Sequence, residues 1–208
     1  MYHGLVALEI VIRGARNPSR ITLFPGAWNP PTIAHLEIAR AVLTWADEVV
    51  WVLPRALPHK SFEQAGFDAR RAMLELIAKH EPGFSVALSN GGLYAEIAAE
   101  AREAYGPSTE ITLACGRDAA ERIATWDYGQ PGVFDEMLRK HRLLVAGRAG
   151  HYEPAEHHRE RIINIPLPPG AEGVSSSEIR RLIKERQRWE HLVPAPITDL
   201  VRELYALD

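Results

Sequence analysis

The chain has 208 residues, of which 46% are hydrophobic and 25% charged, as in an average soluble globular protein. Twenty-four lysines and arginines against 27 aspartates and glutamates give a net charge of −3, which argues against a protein built to bind nucleic-acid backbones. Its single cysteine, Cys115, excludes an internal disulfide, and we find no membrane-spanning run and no cationic leader, so we expect a cytoplasmic protein without a membrane partner.

Short runs of β-branched and apolar residues recur along the chain and predict strands. They cover residues 21–24, 48–53, 84–88, 110–114, 142–146 and 161–165. Segments with helical spacing lie between most of them, and this alternation predicts an α/β fold, a Rossmann-like parallel sheet with helices on both faces. Ligands of such sheets bind beyond the carboxyl ends of the strands, so we expect functional residues directly after the apolar runs.

The two ends of the chain depart from this alternation. Residues 1–20 resemble an extra edge strand followed by a turn, and we assign them no function. Residues 170–208 predict a C-terminal helical subdomain, because a loop leads into a helix with a capping-box pattern at Ser175 and Glu178, and a last amphipathic helix follows. We therefore predict a single domain over residues 1–208, with the helical subdomain packed on the sheet.

The segment from Phe24 to His35 gives the strongest chemical signal. It begins where a predicted strand ends and continues into a helix. Gly26 lets the backbone approach a ligand, and Thr32 and His35, three positions apart, share one face of the opening helical turn. A hydroxyl, an imidazole and free helix amides then converge, which predicts an anion site suited to phosphates. The alternative is an ordinary turn that precedes a structural histidine.

This segment resembles the signature of the nucleotidyltransferase superfamily, a G-x-F-x-P-x-(H/T)-x-x-H loop that grips the ATP triphosphate. The matching positions are Gly26, Trp28, Asn29, Pro30, Thr32 and His35. The superfamily has a second signature, a serine-rich S-S-T-x-I-R helix start, and residues 174–180 are similar to it. Two such signatures in the expected order are a specific signal.

Further matches resemble the nicotinate or nicotinamide mononucleotide adenylyltransferases. Residues 51–60 resemble that family's second-strand exit and its P-H-K loop, and residues 70–74 resemble its R-x-x-M-L helix. Residues 115–118, followed by Trp126, resemble its G-x-D…W segment. The likeness covers about residues 20–207, so it implies one nucleotidyltransferase domain.

The resemblance implies transfer of AMP from ATP to nicotinate or nicotinamide mononucleotide in NAD biosynthesis, with release of pyrophosphate. It implies Mg²⁺ as the companion of ATP, and no metal held by protein ligands alone. The implied catalytic residues are His35, Thr32 and Arg180. The implied ATP-binding residues are Gly26, Ala27, Trp28, Thr32, His35, Gly116, Asp118, Ser176, Ser177 and Arg180. The implied residues for the pyridine mononucleotide are Lys60, Trp126 and Trp51.

Other interpretations stay open at this point. A related adenylyltransferase could use another phosphorylated acceptor such as phosphopantetheine, although such enzymes lack the P-H-K loop. Departures from the family at Thr32, Ala34 and residues 91–94 are compatible with a nucleotide-binding relative without activity, and they leave the choice between nicotinate and nicotinamide undecided. The chain is too short for a class I aminoacyl-tRNA synthetase.

Structural roles are the alternative for individual residues. Asp118 is a candidate helix cap, and Trp126 a candidate core residue. The histidines at 151, 157 and 158 match no zinc-binding spacing, so we predict no metal site there. Self-association into a homo-oligomer is left undecided.

Overall fold

The computed structural model describes residues 6–56, 65–147, 150–169 and 173–205. Its strands are β1 (Glu9–Ile12), β2 (Arg20–Pro25), β3 (Glu48–Pro54), β4 (Phe84–Ser89), β5 (Glu110–Gly116), β6 (Leu143–Ala146) and β7 (Ile162–Ile165). Its α-helices are α1 (Ile33–Leu43), α2 (Phe67–His80), α3 (Tyr94–Tyr105), α4 (Arg117–Thr125), α5 (Val133–Lys140), α6 (Ser176–Lys184) and α7 (Thr198–Tyr205). Each of the six strands predicted from the apolar runs overlaps one of β2 to β7.

The strands form one seven-stranded sheet in the order β1-β4-β3-β2-β5-β6-β7. All neighbouring pairs are parallel except β1 with β4, which is antiparallel. The predicted α/β fold with a parallel sheet is confirmed. The chain builds outward from β2 to β4 and then returns to place β5 on the other side of β2. The order therefore reverses between β2 and β5, where ligands of such sheets bind.

Helices cover both faces of the sheet, and β3 shows how the sequence achieves this. Val49, Trp51 and Leu53 point to one face and pack in the core cluster that contains α1, α2, α6 and α7. Val50 and Val52 point to the other face and pack in the cluster that contains α3, α4 and α5. A strand buried on both faces is apolar at most positions, which explains the long hydrophobic runs of the sequence.

The N-terminal segment is attached to the domain by a buried carboxylate. Glu48 is fully buried at the start of β3, and its two oxygens accept hydrogen bonds from the Ala15 amide and the Tyr105 hydroxyl. The Gly14 amide donates to the Ser85 hydroxyl at 2.7 Å. These contacts satisfy polar groups that would otherwise be costly to bury, and they give this segment a structural role.

The structure differs from the sequence prediction at two helices, α5 and α6. Helix α5 has only eight residues and was not predicted. At the start of α6 the Ser175 hydroxyl accepts from the Glu178 amide as expected, but the Glu178 carboxylate pairs with Arg181 instead of returning to the cap. Among the described helices none is both long and apolar enough to cross a membrane.

Candidate active site

A cavity of about 590 Å³ opens at the carboxyl ends of β2 and β5, at the reversal of strand order. The opening turns of α1, α4 and α6 all contribute to its walls. Helix N-termini carry partial positive charge and amide N–H groups without intrahelical partners, so three of them at one cavity favour an anion. The lining includes the predicted residues Gly26, Ala27, Trp28, His35, Gly116, Asp118, Trp126, Ser176, Ser177 and Arg180.

The loop between β2 and α1 takes its shape from Trp28. This residue has a φ of 55°, which is unusual for a bulky side chain, and its ring is buried. The indole N–H donates to the Val52 carbonyl at 2.8 Å, and the Gly26 amide donates to the same oxygen at 3.2 Å. The tryptophan therefore anchors the strained loop to β3, and strain of this kind is typical of ligand-binding loops.

We predict that Gly26→Ala destabilises the protein by about 1–3 kcal/mol and lowers its activity, because overpacking forces buried groups to move. A Cβ atom on Gly26 would lie 2.6 Å from a ring carbon of Trp28, which its hydrogen bond and aromatic neighbours hold in place. Gly173→Ala is the matched control, since nothing lies within 4 Å of a Cβ there. Urea denaturation of both variants checks the prediction; equal stability would contradict it.

Side chains from distant helices hold the outer part of the same loop. Three of its carbonyl oxygens accept hydrogen bonds from α2 and α6. These bonds are Arg70 Nη1 to Ala27 O (2.9 Å), Arg180 Nη1 to Asn29 O (2.6 Å) and Ser176 Oγ to Pro30 O (2.8 Å). The Tyr205 hydroxyl of α7 also donates to the Asn29 side-chain oxygen. The two signature segments, far apart in sequence, are thus in direct contact.

His35 lies on the cavity wall, whereas Thr32 lies behind it. Thr32 is fully buried at the N-cap of α1, where its hydroxyl accepts from the His35 amide at 3.2 Å. In return, the Thr32 amide donates to His35 Nδ1 at 3.0 Å, and the Thr32 hydroxyl lies 3.0 Å from the same nitrogen. The predicted contact of Thr32 with a phosphate does not fit this arrangement, because its hydroxyl faces the imidazole rather than the cavity.

The start of α6 places a cation and two backbone amides on the cavity. Arg180 uses one N–H for the loop and another for the Ser177 hydroxyl at 3.1 Å, and a guanidinium has five. The Ser176 hydroxyl donates to Pro30, so it supports the loop. The amides of Ser176 and Ser177 lie in the first helical turn, whose N–H groups have no intrahelical acceptor.

The third wall, formed by the start of α4, adds charge that the sequence prediction overlooked. Arg117 and Arg122 line the cavity together with the predicted Asp118. With Arg180, the described part of the lining contains three arginines and one aspartate, so it is cationic. Arg117 also pairs with Glu121 at 3.0 Å on the helix surface. Their position in the sequence could have indicated this role, because both arginines follow β5 within the first two turns of α4.

The cavity lining also contains aromatic side chains. Trp126, at the end of α4, is half-buried in the wall with Tyr94 and Tyr128. Tyr94 lies between β2 and β5, with its hydroxyl 3.2 Å from the Ala114 carbonyl oxygen, and burial raises its pKa well above the usual value. The tyrosine therefore remains a neutral donor. Flat aromatic surfaces next to a cationic wall suit a ligand that joins rings to phosphates.

Trp51, which was predicted to contact the mononucleotide, is not part of this wall. Trp51 is 1% exposed and packs among Phe24, Trp28 and Phe84 in the core, so it cannot stack on a ligand. Lys60 lies outside the described residues.

Cys115 borders the cavity, but burial raises the pKa of its thiol, so a thiolate nucleophile is not favoured.

One cluster outside the cavity has metal-ligating side chains. Asp135, His157 and His158 lie with their ligand atoms within 4.8 Å of one another, and no other such group of three occurs in the described part of the chain. His158 Nε2 lies 2.7 Å from the Asp135 carboxylate, and its ring packs edge-on against Phe134. His158 and Asp135 are each other's polar partners, and their contact connects α5 to the segment before β7. This is a structural role.

Comparison with known proteins places these features in a family. Residues 23–182 match the family described as Cytidylyltransferase-like. A relative from Treponema pallidum, named "probable nicotinate-nucleotide adenylyltransferase", is 31% identical over 204 residues, covering 89% of this chain and 98% of the relative. A relative of the same name from Carboxydothermus hydrogenoformans is 28% identical over 198 residues, covering 88% and 95%.

A solved structure shows the same fold. The structure of Plasmodium falciparum nicotinic acid mononucleotide adenylyltransferase complexed with NaAD aligns with a TM-score of 0.70 and 19% identity, covering 91% of this chain and 98% of that one. The sheet, the two signature segments in contact and the relatives agree with the resemblance found in the sequence. The chain belongs to the cytidylyltransferase-like family of nucleotidyltransferases, in the group of the nicotinate-nucleotide adenylyltransferases.

Proposed function

We propose that this protein transfers AMP from ATP to nicotinate mononucleotide and releases pyrophosphate, a step of NAD biosynthesis. The observation that carries the proposal is the contact between the two signature segments. Arg180 on α6 bonds to Asn29 in the β2–α1 loop, so that a cation, His35 and three helix N-termini surround one cavity. The names of the relatives support the same reaction and favour nicotinate over nicotinamide.

The chemistry requires positioning rather than a protein nucleophile. A phosphate oxygen of the mononucleotide attacks the α-phosphorus of ATP and forms a new P–O bond. The bond from that phosphorus to the bridging oxygen breaks, and pyrophosphate leaves with the electron pair. The attacking phosphate is already an anion, so no general base is needed, and catalysis depends on alignment and on stabilising charge on the phosphate oxygens.

The residues divide between the two substrates. We assign His35 and Arg180 to the triphosphate, together with the backbone amides of Ser176 and Ser177 at the start of α6. Asp118 accepts hydrogen bonds from a ribose. Trp126 stacks on the pyridine ring. Lys60, outside the described residues, is assigned to the reacting phosphates.

Magnesium enters this proposal as part of the substrate. Among the described lining residues Asp118 is the one carboxylate, which does not make a protein cage for a divalent ion. Such a donor set fits Mg²⁺ carried by phosphate oxygens and water. The arginines of the lining then pair with the phosphate oxygens whose negative charge Mg²⁺ does not neutralise. We propose that the chain performs all of this as one nucleotidyltransferase domain.

The test is pyrophosphate release with ATP and Mg²⁺, measured separately with nicotinate mononucleotide, nicotinamide mononucleotide and phosphopantetheine. We expect release with nicotinate mononucleotide and a smaller rate with the nicotinamide form. ATP binding is measured in parallel by calorimetry. Clear ATP binding without release on either pyridine mononucleotide would overturn the proposal, and release on phosphopantetheine alone would reassign the acceptor.

A further inference from the structure

We infer that Thr32 is a positioning residue that fixes the proton of the His35 imidazole on Nε2 and does not itself contact substrate. Thr32 is fully buried, and its amide and hydroxyl both engage His35, while its carbonyl accepts from the Leu36 amide at 3.1 Å. The pair forms a reciprocal capping box in which a histidine ring takes the place of the usual glutamate or glutamine at the third helical position.

The backbone decides which ring nitrogen carries the proton. The Thr32 amide donates to His35 Nδ1 at 3.0 Å, and an amide N–H has no other role than donor. Nδ1 must therefore present its lone pair, and the neutral imidazole carries its proton on Nε2. The Thr32 hydroxyl, which already accepts from the His35 amide, can turn its own hydrogen toward Nδ1 at 3.0 Å.

The ring is also fixed in orientation. It packs edge-on against the buried indole of Trp28, with ring centroids 5.1 Å apart and planes at 84°. Phe24 lies on the same side, with its centroid 6.3 Å from that of the imidazole. A histidine held by its Nδ1 and by two aromatic rings offers Nε2–H as the donor for the cavity, which is the group that a phosphate oxygen needs.

The catalytic consequence rests on the proposed adenylyl transfer, but the proton's position can be measured on the free protein. Long-range ¹H–¹⁵N correlation spectra distinguish the two nitrogens of each imidazole, and the His35→Gln variant identifies the His35 signals by their loss. We expect a single Nε2–H form in the wild-type protein at neutral pH. A proton on Nδ1 would overturn the inference, whether or not the protein transfers AMP.

Variants of Thr32 then test what its hydroxyl, as the second group that holds the His35 ring, contributes to turnover. Thr32→Val keeps the side-chain shape and removes the hydroxyl, whereas Thr32→Ser keeps the hydroxyl. We expect Thr32→Val to lower kcat by about 10- to 100-fold with the KM for ATP within about threefold, as when a group that orients a catalytic histidine is lost. Its spectrum is expected to keep the Nε2–H form, because the backbone amide of residue 32 still donates to Nδ1. Thr32→Ser is expected to keep wild-type kcat within about threefold and the Nε2–H form.

A matched control separates this role from general destabilisation. Thr109 is a buried threonine at the amino end of β5, away from the cavity at the carboxyl ends of the strands, and its hydroxyl donates to the Tyr105 carbonyl at 2.9 Å. Thr109→Val is therefore expected to lower stability without changing kcat. An unchanged kcat in Thr32→Val, an equal loss in Thr32→Ser, or an equal loss in Thr109→Val would each overturn the inference.

Discussion

Replacing His35 by alanine is expected to lower the rate of pyrophosphate release by about 10²-fold or more, as when a donor to transition-state charge is removed. The imidazole lies on the cavity wall at the start of α1, and the developing charge on the phosphate oxygens would lose its N–H donor. Substrate binding should change less, because arginines and helix amides remain. Initial rates at saturating ATP and nicotinate mononucleotide check the prediction.

Two further variants show that this loss concerns catalysis. His35→Gln keeps a side chain that can complete the capping box with Thr32, so it should retain more stability than His35→Ala and remain almost as slow. His80, exposed at the end of α2, provides the control, and His80→Ala should have normal turnover. Near-normal turnover in His35→Ala would remove the central residue of the proposed mechanism.

Replacing Arg180 by alanine is expected to lower turnover by about 10²-fold, through two losses at once. The cavity loses one of its three arginines, and the Asn29 carbonyl loses its donor at 2.6 Å, so the loop that carries Trp28 loosens. Arg180→Lys keeps the charge without the planar fork and should fall between the wild-type protein and Arg180→Ala. Rates measured over a range of salt concentrations separate the two losses.

The neighbouring residue on α6 is the natural control for this prediction. Arg181 is half-exposed and pairs with Glu178 and Glu185 on the helix surface, away from the loop. Surface ion pairs of this kind contribute about 0–1 kcal/mol, so Arg181→Ala should keep normal turnover. Equal loss of activity in Arg180→Ala and Arg181→Ala would show that α6 matters only as a helix, and the assignment of Arg180 would fail.

Most of the fold could be predicted because most strands and helices have a recognisable pattern in their own local sequence. A strand buried on both faces is mostly apolar, as β3 is from Val49 to Pro54, and helices such as α3 combine strong helix formers with a terminal glycine at Gly106. Helix α5 lacked such a signal, because its eight residues, which follow a glycine-containing turn and lead directly into β6, show little more than two helical turns. Its helical structure comes from the packing of Phe134, Met137 and Leu138.

The site could be predicted in part, for a similar reason. His35 and the start of α6 lie in short segments whose residue types and spacing are informative. Trp51 was misplaced because a core tryptophan and a ligand-stacking tryptophan have the same sequence environment, an apolar strand. Thr32 was assigned to a phosphate because sequence spacing gives the shared face but not the depth, and only packing shows that its hydroxyl is buried against His35.

The bonds to Asn29 have a consequence for how the site comes into being. Its partners Arg180 and Tyr205 lie 151 and 176 residues further along the chain. During synthesis the nascent polypeptide therefore displays the N-terminal signature long before the residues that secure it have left the ribosome. Closing so long a loop costs entropy and belongs to the late steps of folding. Because the complete site exists only in the native state, nucleotide binding stabilises the folded protein and does not stabilise its early folding intermediates.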